Sequence, residues 1–332
     1  MTLHDSLALM KRELIEQPQT LAAARDAIFR EAALIRPHKA ETIWIGGCGD
    51  SLFAAQALSL YFRQQGWAVR PVSSAEMLWD VDIQPEDSVV GISMSGSTRR
   101  TVEAIRAASA IGAYTIAITL NSNSDLAQAA TKTLSLPFVP ISRAIPHGMD
   151  YHMTLLALIA LAGDTLVTEP HVILADAGPK MMTETQAIAA RVTSNTRFFF
   201  LGSGAALGSA NYGAAKMHEA GGLSAWAFEA ENFAHGAQFM LKKGDHVVLL
   251  GAGGRSDART ASLYTGFEKL GVSVSSAGLD TDDALSAAVL SGLHCQALCQ
   301  SVAAAFELNV SDPANGSGAD TVQSKWFSWT AS

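Results

Sequence analysis

The stretch GISMSGSTRRT, Gly91 to Thr101, places five hydroxyl residues in the nine positions from Ser93 to Thr101, directly after the apolar-ended run DSVV. Hydroxyls gathered where a strand hands over to a helix can serve two ends. They can N-cap the helix, or they can join its orphan N–H groups and positive dipole end in cradling an anion. The following RRTVEAIRAASAIG carries helical apolar spacing at Val102, Ile105 and Ala108, with a stop at Gly112. Ser95, Gly96, Ser97 and Thr98 are therefore expected in the turn and first helical positions. Ser93, Ser95 and Thr98 would supply hydroxyl donors, and Gly96 would let the backbone come close to a ligand. A second turn, GGCGDS, puts Ser51 at the head of a helix facing the same crevice. Neither turn spells G-x-G-x-x-G, and no acidic residue stands at the end of the second strand for a ribose, which disfavours a dinucleotide.

The elements that must position these residues occur twice. TIWIGGCGDS (42–51) matches RFFFLGSGAA (197–206), EDSVVGISMSGST (86–98) matches GDHVVLLGAGGRS (244–256), and AIRAASAIGAYTIAIT (104–119) matches SLYTGFEKLGVSVSSA (262–277). Each copy reads as strands alternating with helices, the pattern of a parallel sheet covered on both faces. Strands are expected near 42–47, 68–73, 88–93, 114–120 and 132–137, then 197–202, 224–228, 246–251 and 272–278. Between them two helices are expected, YHMTLLALIALAGD and AGPKMMTETQAIAARVTSN. The fold class is α/β, with two tandem doubly wound sheets. Its divisions are an N-terminal helical segment (1–30), a first domain (31–170) and a second with a tail (171–332). The repeat also supplies a control: GAGGRS keeps the architecture with Ser256 as its one hydroxyl, which weighs for a ligand role of the first cluster over capping alone.

The bulk composition narrows the function. Charged residues make up 16% of 332, the formal net charge is −8, and no Lys/Arg-rich run exists, so nucleic-acid binding is not expected. Cys48, Cys295 and Cys299 show no C-x-x-C spacing, which disfavours disulfides and zinc and points to a reducing cytoplasm. The longest apolar run, TLLALIALAG, is about half a membrane span, so no membrane partner is expected.

Two strand–turn–helix copies with SMSGST closing the third strand resemble the sugar isomerase (SIS) domain. The tandem arrangement is similar to the isomerase half of glucosamine-6-phosphate synthase and to fructosamine-6-phosphate deglycases, from about residue 30 to 315. The resemblance implies that Ser93, Ser95, Gly96 and Thr98 hold the phosphate of a sugar, with Ser51 nearby. Met94 stands where a Gln is common, and Ser97 where a Glu or Asn is frequent. AAKMHEAGGLSAWAFEAENFAHGAQF resembles the family's catalytic segment, with a Glu on a helix and a His sixteen residues on: Glu219 and His235. The Glu would move a proton between C1 and C2, and the His would assist ring opening. Without the resemblance, Glu219 reads as a solvated helix residue and His235 as a loop histidine. On a packed helix, burial would raise the Glu219 pKa. His218 should point elsewhere by helix geometry, Glu231 is a secondary candidate, and Asn232 stands where an acid is frequent. The synthase's Schiff-base lysine corresponds to Gly318, and Lys325 lies seven residues on. With no glutaminase domain before the first half, amide-dependent synthesis is not expected.

The expected activity is thus phosphosugar isomerisation, or deglycation or deamination of an amino-sugar phosphate, through an enediol or enolamine. The ligand would be a phosphorylated sugar or fructosamine phosphate. No metal or organic cofactor is implied, and the resemblance implies a homodimer with the His reaching across. A sugar-phosphate sensor without turnover, and an isomerase for a sugar bearing another anion such as sulfonate, are the alternatives.

Overall fold

A computed structural model describes residues 1–37, 42–163, 166–312 and 325–329. Within these, the nine expected strands all form, each within about a residue or two of its expected bounds. The first half runs β1 (Ile43–Gly47), α2 (Asp50–Ala57), α3 (Ser59–Gln64), β2 (Val69–Ser73), α4 (Ser74–Trp79), β3 (Ser88–Ile92), α5 (Arg99–Ala110), β4 (Tyr114–Thr119), α6 (Asp125–Ala129) and β5 (Lys132–Ser135), after the long α1 (Leu3–Ala33). The second half runs β6 (Phe198–Gly202), α9 (Ala206–Glu219), β7 (Ala225–Phe228), α10 (Ala230–Phe233), β8 (His246–Leu250), α11 (Asp257–Ser262), α12 (Tyr264–Lys269) and β9 (Ser273–Ala277). Helices α7 (Met149–Ala162) and α8 (Pro170–Ala189) join the halves, and α13 (Ala284–Ala305) closes the chain's core.

Both sheets are parallel. The first has the order β2-β1-β3-β4-β5, and the second, β7-β6-β8-β9, repeats it without the fifth strand. Central strands β1, β3, β6 and β8 are buried at every residue, as helices on both faces require. In this order the winding of the strands reverses between β1 and β3, so the crevice for a ligand opens beyond their carboxyl ends. The GGCGDS and serine turns both lie there. The repeat extends to backbone angles: Gly49 and Gly204 have φ of 57° and 58°, a left-handed conformation that glycine adopts without strain.

The second linking helix begins at Pro170, seven residues before the expected AGPK start, and ends at Ala189. Pro170 is its first residue, where the missing N–H costs nothing, and Pro179 is carried inside the helix. Gly178-Pro179 looks like a helix start in sequence because the burial of Ile173 and Leu174, which carries the helix through it, is tertiary. Helix α13 is apolar and long enough to cross a membrane by length and composition, but 89% of that window is buried inside the protein. It serves as a core helix.

The halves meet where α2 packs on α9. A Cβ at Gly208 would lie 2.5 Å from the Ala57 nitrogen and 2.6 Å from the Phe53 carbonyl oxygen, so only glycine permits this approach. Gly208→Val is expected to lower unfolding free energy by about 1–3 kcal/mol, the usual cost of overpacking, measured by denaturant titration. An unchanged midpoint would show that α2 and α9 are not held this closely.

Candidate active site

The serine turn is built by its own hydroxyls. Ser93 is buried (3% exposed); its Oγ lies 2.8 Å from Thr98 Oγ1 and 3.4 Å from Ser95 Oγ, and accepts from the Gly96 N–H at 3.1 Å. Ser95 Oγ accepts from the Ser97 N–H at 3.3 Å and from the Ser97 hydroxyl at 3.0 Å. Thr98 is the N-cap of α5, yet its side chain makes no capping bond. The turn's hydroxyls are directed at one another instead of at α5's amides.

Gly96 has a φ of 69°, and a Cβ there would sit 2.1 Å from Ser124 Oγ. Its need for glycine arises from the loop packed behind it, and its N–H already binds Ser93. Met94, which stands where the resembled family often has a Gln, packs its partly buried side chain on the main core. Ser51 is half-buried in the first turn of α2, and it is Cys48 that reaches the crevice.

The crevice is a cavity of about 480 Å³ lined by Cys48, Ser95, Ser97, Thr98, Arg99 and Arg100, with Trp326 and Phe327 across it. Arg99 donates to the Ser328 carbonyl at 2.8 Å and Arg100 to that of Trp329. The Arg100 guanidinium also lies 5.1 Å from the Trp79 ring and 5.2 Å from that of Trp329. Both arginines and this 325–329 segment were missed in the sequence. RRT reads as the polar face of a helix, and the WFSW pairing with Trp79 is purely tertiary. Lys325 opens that short helical turn and is exposed; Gly318 lies outside the described residues.

The second half answers the capping question again. There Asp257, 6% exposed, accepts from the Ala252, Gly253 and Gly254 amides at 2.8–3.3 Å. The matching loop thus carries an internal carboxylate on its amides. The larger cavity beside it, about 1100 Å³, adjoins a nest already satisfied.

Two residues beyond Cys48, Asp50 reaches across the α2–α9 contact. Lys216 Nζ, with its side chain 3% exposed, donates to Asp50 Oδ2 at 2.6 Å and Glu219 Oε2 at 2.5 Å. Burial alone would strip the Lys216 proton, but Asp50 and Glu219 outweigh it and hold the ammonium charged. Burial pushes Asp50 up to about 6 against the pull of Lys216. Glu219 ends α9 with its side chain 44% exposed, so the burial expected for it falls on Asp50 instead. Lys216 was overlooked in AAKMHEAGG, although an i,i+3 Lys–Glu pair on one helix face was visible there.

His235 is not part of this cluster. Its side chain is 73% exposed, with Nε2 3.0 Å from Glu231 Oε1, and Glu231 also accepts from Arg259 at 2.6 Å. Among the described residues no hydrogen bond or ion pair links His235 to Lys216, Asp50 or Glu219. His218 Nε2 lies 2.9 Å from the Ala225 carbonyl, pointing away as expected. The Asn232 amide binds Glu229.

This geometry is that of a known architecture. Residues 38–162 match the SIS domain family. The chain is 27% identical over 288 residues to a glutamine–fructose-6-phosphate aminotransferase (isomerizing) of Pyrobaculum aerophilum, covering 76% of this chain and 45% of that one. It is 33% identical over 133 residues to the corresponding Aeropyrum pernix protein, covering 38% and 22%. The chain thus spans less than half the length of these curated relatives. Among solved structures it is similar to glucosamine-6-phosphate deaminase from Thermotoga maritima (TM-score 0.76, 19% identity, 94% of this chain and 98% of that one). It is also similar to tagatose-6-phosphate ketose/aldose isomerase from Escherichia coli (TM-score 0.73, 16%, 92% and 95%). The likeness to solved structures, at these identities, establishes the fold. The SIS match ends with α7, so it contains the serine turn, Cys48 and Asp50 but not Lys216 or Glu219.

Lys216→Met leaves Asp50 and Glu219 without their shared cation. Unfolding free energy at pH 8 is expected to fall by about 3 kcal/mol, the low end for a broken buried pair because both acids keep some water. Asp50 takes up a proton as the pH drops through about 6, so the loss should shrink at pH 5. A loss that grows on acidification would contradict this charge arrangement.

Proposed function

We propose that this chain is a phosphosugar isomerase, or a deglycase or deaminase of amino-sugar phosphates, made of two SIS-type halves. In this reading residues 31–170 hold the phosphate and residues 171–332 contribute the base. The observation that carries it is the Lys216 bridge. It ties Glu219 of α9 to Asp50, two residues from the Cys48 wall of the serine cavity, so an anion anchor and a carboxylate base stand on one rigid contact.

In the reaction the phosphate sits against Ser95, Ser97 and Thr98, with Arg99 and Arg100 supplying positive charge at the rim. Glu219 keeps Oε2 on Lys216 and uses Oε1 to take a proton from the carbon beside the carbonyl. The electron pair moves into an enediol or enolamine, and the same carboxyl returns the proton to the neighbouring carbon. His235, exposed on its own protomer, acts in ring opening at the site of a second copy. The curated relatives, named for fructose 6-phosphate, and the deaminase and isomerase folds support a phosphorylated sugar as substrate.

Incubation with fructose 6-phosphate, tagatose 6-phosphate, glucosamine 6-phosphate and a fructosamine 6-phosphate in deuterated water should exchange the C1 or C2 proton of at least one, read by NMR. Glu219→Gln should abolish that exchange, and survival of exchange would remove Glu219 as the base. Tight binding without exchange would assign the chain as a sensor. Thr98→Val should raise KM for the phosphosugar about tenfold, the loss of one hydrogen bond to a charged group, with kcat little changed. Mixing inactive Glu219→Gln and His235→Ala chains should restore activity if His235 works across a dimer, whereas no restoration would place it elsewhere.

A further inference from the structure

Glu13 lies on the buried face of α1 and is 2% exposed. Its Oε2 accepts from the Gly148 N–H at 2.8 Å, while Oε1 has no protein hydrogen-bond partner. Glu13 and Lys216 line the same cavity of about 10 Å³, the space that a single water needs. The other polar side chains on its wall are committed to each other. Gln17 donates to Gln296 Oε1 at 2.7 Å, and its own Oε1 lies 2.5 Å from His152 Nδ1. Gln296 in turn donates to the Gly148 carbonyl at 3.1 Å and to the Tyr212 hydroxyl at 3.0 Å. Lys216 has three protons, and Asp50 and Glu219 account for two.

A buried acceptor side chain, a donor side chain and room for one water thus share a single small cavity. We propose that a buried water bridges Glu13 Oε1 and the third proton of Lys216, making Glu13 a positioning residue that fixes Lys216 between Asp50 and Glu219. The water accepts from Lys216 Nζ and donates to Glu13 Oε1, so every proton has a partner. Among the described residues the Tyr212 ring, with its centroid 5.3 Å from Nζ and within cation–π range, competes for that proton, and Asp150 Oδ1 is a further buried oxygen without a hydrogen-bond partner. Through this bridge the N-terminal helix sets the orientation of the base. The positioning role rests on the reading of Glu219 as base; the water bridge itself does not.

Burial pushes Glu13 up to about 7, partly offset by the Gly148 N–H, with Asp150 adding and Lys216 subtracting. Charged or titratable groups around it are Asp150, His147 and Arg143 at the head of α7, Asp50 on α2, and Lys216, Glu219 and Tyr212 on α9; His152 lies behind Gln17. Below pH 7 Glu13 gains a proton and ceases to be a pure acceptor, so the bridge weakens on the acid side.

A high-resolution crystal structure of the full chain at pH 8 should show a water oxygen within about 3 Å of both Glu13 Oε1 and Lys216 Nζ, at hydrogen-bond distance. Density showing Lys216 turned onto Tyr212 with no such water would overturn the bridge. Glu13→Gln, nearly isosteric, should lower kcat for proton exchange about tenfold with KM within twofold, and should remove an acid-side inflection near pH 7. Unchanged kcat and pH profile would overturn the positioning role even if the water is seen. Thermal melting checks that the variant folds, and Glu13→Asp, which keeps the charge, should recover part of kcat. If the wild type exchanges no phosphosugar proton, the functional reading fails, and the water still decides the bridge.

Discussion

The buried ammonium of Lys216 is the interaction on which this site depends. An isolated lysine in the interior would lose its proton or unfold the region around it. Here two carboxylates from different helices keep it charged. Those carboxylates belong to opposite halves of the chain, so the ion pair exists only if α2 and α9 come close. That approach requires Gly208, because any side chain there would strike the backbone at Ala57 and Phe53. A glycine without catalytic chemistry thereby determines whether Glu219 and Asp50 share Lys216.

The two parallel sheets share a strand order, and the serine turn is best read beside its counterpart in the second. Two loops at equivalent strand ends solve the same electrostatic problem differently. After β8 the amides of Ala252, Gly253 and Gly254 point at a carboxylate of the chain itself, Asp257. After β3, among the described residues, the Gly96 and Ser97 amides bind serine hydroxyls instead, and Arg99 and Arg100 flank the opening. Hydroxyls can turn toward a ligand, whereas a buried carboxylate repels one. The second loop thus carries its own anion, and the first leaves its hydroxyls free to take one in the proposed reaction.

Much of the architecture was legible in the residues. The strands emerged from unbroken apolar runs bounded by glycine turns, because parallel strands buried on both faces tolerate little else. The serine turn stood out for the same reason, as polar residues at the end of such a run. The start of α8 was misread because Gly178-Pro179 carries a local signal that the packing of Ile173 and Leu174 overrides. Met94 stands where the resembled family often has a Gln, and its side chain follows the core. His235 has the right spacing from Glu219 but lies on the surface, joined to Glu231 and Arg259. Spacing along a chain does not fix proximity across a loop.

The sequence by itself determined the sheet order's raw material, the hydroxyl turn, and the Lys216–Glu219 pair on one helical face. All of these are encoded by neighbours within a few residues, where periodicity and turn chemistry act. Only the tertiary structure decided that Asp50 completes that pair and that Glu13, more than 200 residues away from Lys216 in the chain, faces the same small cavity. It alone decided, too, that Trp326 and Phe327 wall the serine crevice. These juxtapositions come from how helices cross and how closely they can approach. They depend on the whole packed core, and no local pattern carries them.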